Sequence, residues 1–97
     1  MIDVVKEYKA GRRDFIGASL KNADLSGAIL TGANFSGAKL IDAKFRGAKF
    51  RGADLSYANL SGADFTGADF TGADFRGADF TGVNFSGAII EGHIIVN

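Results

Sequence analysis

Ala53-Asp54-Leu55-Ser56-Tyr57, Ala58-Asn59-Leu60-Ser61-Gly62, Ala63-Asp64-Phe65-Thr66-Gly67: three consecutive blocks of five residues repeat one pattern. Followed outward in both directions, the block runs from Arg13 to Asn97 without insertion, 17 times. Its middle residue is Phe, Leu or Ile in all 17 blocks, from Phe15 to Ile95. Ala stands two residues earlier in 14 of them, the exceptions being Arg13, Val83 and His93. Gly stands two residues later in 13, the exceptions being Asn22, Asp42, Tyr57 and Asn97. The skewed composition, with 14 Gly and nine Phe but no Pro or Trp, follows from this repeat.

A period of five excludes a long amphipathic helix. At roughly 100° per residue, each block would turn its apolar residue by about 140° and scatter Phe round the cylinder. A continuous strand needs period two, which five breaks at every block boundary. Within a block the order apolar–polar–apolar makes a three-residue strand with two side chains pointing inward. The other two residues, commonly Thr-Gly or Ser-Gly, form a turn, where Gly accepts positive φ without a steric penalty and Asn or Asp is the next most tolerant. A chain of short strands and corners has to coil.

These blocks resemble the pentapeptide-repeat family, whose motif is Ala-(Asp/Asn)-Leu-x-x, over about seven-eighths of the chain. The resemblance implies an all-β fold, a right-handed parallel quadrilateral β-helix with four blocks per coil. Residues 20 apart then stack on one face. Phe45, Phe65 and Phe85 would form one interior ladder, with Phe50 and Phe70 in another. Ala at the second inward position fits a narrow axis that four faces share. Coils about 4.8 Å apart give a rod on the order of 20 Å long.

One domain is expected, with residues 1–12 as an N-terminal cap and 13–97 as repeats. Asp3 can N-cap a short helix over Asp3–Ala10, which carries Val5 and Tyr8 on one side with the preceding Ile2, and Gly11 suits its exit. A solenoid end exposes apolar rungs and strand edges, so a plug is needed there. At the other end stand Ile89, Ile90, Ile94, Ile95 and Val96, with Ile89, Ile94 and Val96 at positions that elsewhere point outward. Either this tail folds across the last coil as its own cap, or it meets another copy of the chain.

Charge is balanced overall, 11 basic against 11 acidic residues, but it is segregated. Lys39, Lys44, Arg46, Lys49 and Arg51 fall within one coil, opposed by Asp42 alone. Asp54, Asp64, Asp69, Asp74 and Asp79 follow, opposed by Arg76. One reading is a ladder of alternating charge, with Lys44 between Asp24 and Asp64. The other is a basic belt beside an acidic one, serving as a partner surface.

Little points to chemistry. There is no Cys, and the single His, His93, stands near the end. Asp recurs every five residues from Asp64 to Asp79, but successive faces turn these carboxylates apart, which argues against Ca²⁺ and other metals. Asn34-Phe35-Ser36, Asn59-Leu60-Ser61 and Asn84-Phe85-Ser86 match a glycosylation pattern that the repeat itself generates. A filled rod has no pocket for convergent catalytic groups, and no cofactor is expected. The start, Met1 to Glu7, matches neither a signal nor a transit peptide, and the longest apolar runs are too short to span a membrane. The expectation is a cytoplasmic, non-enzymatic interaction module with an unknown protein partner, without membrane or direct nucleic-acid binding. Some members of the family that these blocks resemble mimic DNA and bind DNA gyrase, which is the alternative. That reading implies a continuous acidic face on a long rod, and the Lys39–Arg51 belt interrupts it.

Overall fold

Each block sends its five backbone N–H groups in set directions, and those directions build the coil. In Ala63–Gly67, the Ala63 N–H closes the preceding corner onto the Leu60 carbonyl, 2.9 Å away. Asp64 N–H donates down to Ala43 O at 3.0 Å, while Phe65 and Gly67 N–H donate up to Asn84 O and Ser86 O at 2.8 and 2.9 Å. The fifth, Thr66 N–H, donates to Oδ1 of Asp64 at 3.0 Å. No backbone donor of the block is left without an acceptor, as burial against a filled core demands.

The computed structural model describes residues 1–92. Parallel bridges join residues 20 apart, from Asp14 with Asn34 to Asp69 with Ile89, so the coil has four sides of one block each. The strand is as short as a ladder permits: the bridge centres on the outward residue, between the two inward ones. The first face carries Phe15, Phe35, Leu55 and Phe75, and the second Leu20, Leu40, Leu60 and Phe80. The third carries Leu25, Phe45, Phe65 and Phe85, and the fourth Leu30, Phe50, Phe70 and Ile90.

These columns are the core. Every middle residue from Phe15 to Phe75 is buried, as is every Ala two residues before one from Ala23 to Ala73. Phe45, Phe65 and Phe85 form the expected ladder, with ring centroids 5.2 and 5.6 Å apart and edge-on geometry. Phe50 and Phe70 stack in the neighbouring one at 5.3 Å. Phe85, in the last described coil, is the open rung at 42% exposed.

Corners need positive φ at the fifth position, and every described one has it. Asn22 and Asp42 adopt φ of 61° and 57°, and Tyr57 follows at 60° although an aromatic residue tolerates that region poorly. The Tyr57 ring lies over the corner one coil above: a Cβ added at Gly77 would meet its Cδ1 at 2.5 Å.

The cap is helix α1, Val4–Lys9, and its N-cap Asp3 accepts from Lys6 N–H. Ile2, Val5 and Tyr8 pack against the core as expected, but the most deeply inserted residue is Val4, which that reading omitted, at 2% exposed. Tyr8 donates its hydroxyl to Thr31 O at 2.7 Å. Arg13, which stands where later blocks have Ala, stacks 3.7 Å over the Tyr8 ring and donates to Tyr8 O, joining cap to first coil. No helix among the described residues is long and apolar enough to cross a membrane.

Candidate functional site

With the core filled by side chains, the outward positions are what the molecule can offer a partner. At the centre of each strand the fold itself prefers Asp or Asn. All ten such residues at this position among the described residues accept, through Oδ1, the N–H two residues on. This side-chain turn captures the one N–H that the ladder leaves over. At Asp54, Asp64, Asp69 and Asp79 the following Ser or Thr hydroxyl donates to the same oxygen. The acidic belt is therefore first a set of backbone clasps, a role that charge counting missed. Its signal was already present: Asn substitutes freely for Asp at 34, 59 and 84.

The same bonds set the acidity. Asp24, Asp64, Asp69 and Asp79 are held below the usual carboxylate range, foremost by hydroxyl donation from Ser26, Thr66, Thr71 and Thr81, then by the backbone N–H. Arg46 and Arg51 contribute less at Asp64 and Asp69.

The basic belt departs from this rule. Lys39, Lys44 and Lys49 occupy the clasp position on the second, third and fourth faces of one coil, so the N–H groups of Ile41, Arg46 and Arg51 have no such acceptor. Among the described residues these lysines make no ion pair. The pairs belong to the arginines, Arg46 with Asp64 at 3.0 Å and Arg51 with Asp69 at 3.1 Å, each one coil up. The expected alternation through Lys44 is thus real as a stack, Asp24–Lys44–Asp64, but the ion pair to Asp64 comes from Arg46. The belt does not encircle the rod either. On the first face the outward column reads Asp14, Asn34, Asp54, Asp74, and Asp74 pairs with Arg76 at 3.0 Å.

The apolar end patch divides. Ile89 projects from the side of the fourth face, 44% exposed, whereas Ile90 takes the inward position of the last described block. Ile94, Ile95 and Val96, together with His93, lie outside the described residues. A second apolar site, not anticipated, is a cleft of about 360 Å³ between α1 and the first coil, lined by Val5, Tyr8, Lys9, Gly27, Ala28 and Ile29. No group of His, Asp or Glu among the described residues could hold a metal ion.

The family model for pentapeptide repeats matches residues 14–47 and 48–87, as eight copies. The chain belongs to the pentapeptide-repeat family. Its solenoid is similar over 100% of its length to 96% of alr5209, a pentapeptide repeat protein from Nostoc PCC 7120, with 34% identity and a TM-score of 0.88. It also resembles a pentapeptide repeat protein of the Arabidopsis thaliana thylakoid lumen, 44% identical over 78% of this chain, with a TM-score of 0.54. HetL, a pentapeptide repeat protein from Nostoc involved in the regulation of heterocyst differentiation, is 38% identical over 81% of it, with a TM-score of 0.50. Those two are longer, and the matches cover 60% and 40% of them. No curated protein matches the chain. The pentapeptide-repeat fold is the right-handed quadrilateral β-helix, here with four described coils.

Proposed function

We propose that this pentapeptide-repeat protein is a non-enzymatic interaction module that engages a protein partner through the belt of Lys39, Lys44, Arg46, Lys49 and Arg51. One observation carries the reading. Three consecutive blocks carry Lys where the fold favours Asp or Asn, forgoing three hydrogen bonds worth about 0.5–1.5 kcal/mol each. The lysine side chains gain no ion pair among the described residues in return. A residue set that weakens its own fold is best explained by a contact outside it. The belt's chemistry suits an acidic surface on the partner.

The test is a pull-down from native cell extract with wild type and with Lys39→Asn/Lys44→Asn/Lys49→Asn. The variant regains the clasps, so it should be at least as stable and should lose the captured protein. Retention of the same protein by the folded variant overturns the reading.

The alternative, a DNA mimic acting on gyrase, has one observation in its favour: the first face, with Asp14, Asn34, Asp54 and Asp74, has no base in its outward column. Four coils make that face short, and a supercoiling assay with and without the protein decides it.

A further inference from the structure

The outward column of the fourth face reads Ile29, Lys49, Asp69, Ile89, each residue stacked on the one before in parallel register. It is nearly its own complement in reverse. A two-fold axis across the middle of the face, perpendicular to the rod, lays a second copy against it upside down. Ile29 then meets the partner's Ile89 and Lys49 meets the partner's Asp69, each pair occurring twice. At the adjoining corner, Thr31 meets the partner's Glu91 and Arg51 the partner's Thr71. None of these pairs sets like charges against each other.

The other faces fail this comparison. On the first, Asp14 would oppose Asp74, which is acid against acid, and Asn34 would meet Asp54 with no ion pair. The second offers Lys39 to Asn59 and Ser19 to Asp79, with no ion pair. The third offers Lys44 to Asp64 but only Asp24 to Asn84 beside it. On the fourth alone are apolar ends joined to a charged centre.

The fourth face also forgoes most clasps, at Ile29, Lys49 and Ile89. Its two isoleucines are the only apolar residues at this strand position among the described residues, and they are exposed, Ile29 at 61%. The cleft beside Ile29 gives the partner's Ile89 an apolar seat between α1 and the first coil. Asp69 uses Oδ1 for Thr71 and Oδ2 for its own Arg51, and its remaining lone pairs can accept from a lysine.

We propose that two copies of this chain pair side by side and antiparallel through the fourth face, which is an isologous contact. The pairing goes beyond the heterologous partner proposed above and does not depend on it. A molecule of 30 × 24 × 22 Å has sides somewhat under the roughly 800 Å² per partner of a standard stable complex, and one column of side chains covers only part of a side. The pair is therefore weak, favoured by high protein concentration and low salt.

Sedimentation velocity on the full chain, up to about 1 mM in low salt, should show mass rising toward the dimer and falling back in about 0.5 M salt. Lys49→Asp and Asp69→Lys should each weaken association about tenfold or more, because each sets like charges face to face. Both residues already occur at this repeat position elsewhere, so both variants should fold, which circular dichroism checks. Mixed in equal amounts, the two variants restore every charge pair and should associate again. A wild type that stays monomeric overturns the proposal. So does a Lys49→Asp chain that associates as well as wild type, which would place the contact elsewhere, as at the C-terminal end. A mixture no better than its components overturns it as well.

Discussion

Asp64 holds its place through two hydrogen bonds more than through its charge, and this separates two substitutions. Asp64→Ala should lose about 0.5–1.5 kcal/mol in chemical denaturation, because the Thr66 N–H loses its acceptor. Asp64→Asn should stay much closer to wild type, since Asn makes the same bond at 34, 59 and 84. Their pH dependence differs too. The carboxyls of Asp24, Asp64, Asp69 and Asp79 are more acidic in the folded chain than in the unfolded one. Their contribution is therefore complete above the ordinary carboxylate range and is lost as pH falls through the lowered values. Acid titration of stability should be shallower for Asp64→Asn than for wild type. Inside the rod, Phe65→Ala should cost about 3–5 kcal/mol by emptying the middle of its ladder. Ala68→Leu should cost about 1–3 kcal/mol by overfilling the shared axis. Changes within about 0.5 kcal/mol for both, as at a surface position, would mean that the inward positions are misassigned. These inward positions were legible in the sequence because burial imposes a size on every fifth residue. The clasp was easily missed, because polarity at an outward position looks the same whether it serves solvent or backbone, and only the exchange of Asn for Asp at 34, 59 and 84 points to it.

At the scale of single elements, the corner between Ser56 and Ala58 is the strained one. Tyr57 sits at φ 60°, exposed at 66%, with its ring over Gly77. Tyr57→Gly should therefore stabilise the chain by about 1 kcal/mol through relief of the left-handed backbone. Gly77→Ala should be worse in the wild-type background than after Tyr57→Gly, since the ring that a Cβ would strike is then gone. A double-mutant cycle by chemical denaturation measures that coupling, and additive losses would show that the ring yields freely. The spacing of five predicted a corner here but gave no warning of a tyrosine in it, because the exception at 57 reads as a lost glycine rather than a forced φ. The capping helix was legible for a different reason. Six residues are too few to be stable alone, so Asp3 and the apolar side of α1 had to signal a docked element. Val4 escaped that reading because the helix buries more than the one side that carries Val5 and Tyr8.

Across the whole molecule, charge runs along the axis. Residues 1–52 carry ten basic and five acidic side chains, and residues 53–97 carry one and six. Lys44→Ala with Lys49→Ala should leave thermal stability within about 0.5 kcal/mol, any effect shrinking in salt, since neither lysine makes an ion pair among the described residues. A large loss would mean that the belt supports the fold and would remove the argument for a partner. The segregation itself was legible from the sequence. Which charges share a side was legible only once the 20-residue stack was fixed, and the 18-residue reach of Arg46 and Arg51 to their aspartates depends on how corner side chains lean.

The bridges that join residues 20 apart also govern how such a gene can change length. Loss or gain of five codons leaves each block able to find a neighbour, yet it turns everything beyond the break by a quarter revolution. Lys49 would then stand beneath a different column, and the pattern on all four sides would be scrambled while the core stayed filled. Loss or gain of 20 codons restores every column. Replication slippage in this reading frame therefore has two outcomes, one that the fold survives and the surface does not, and one that both survive.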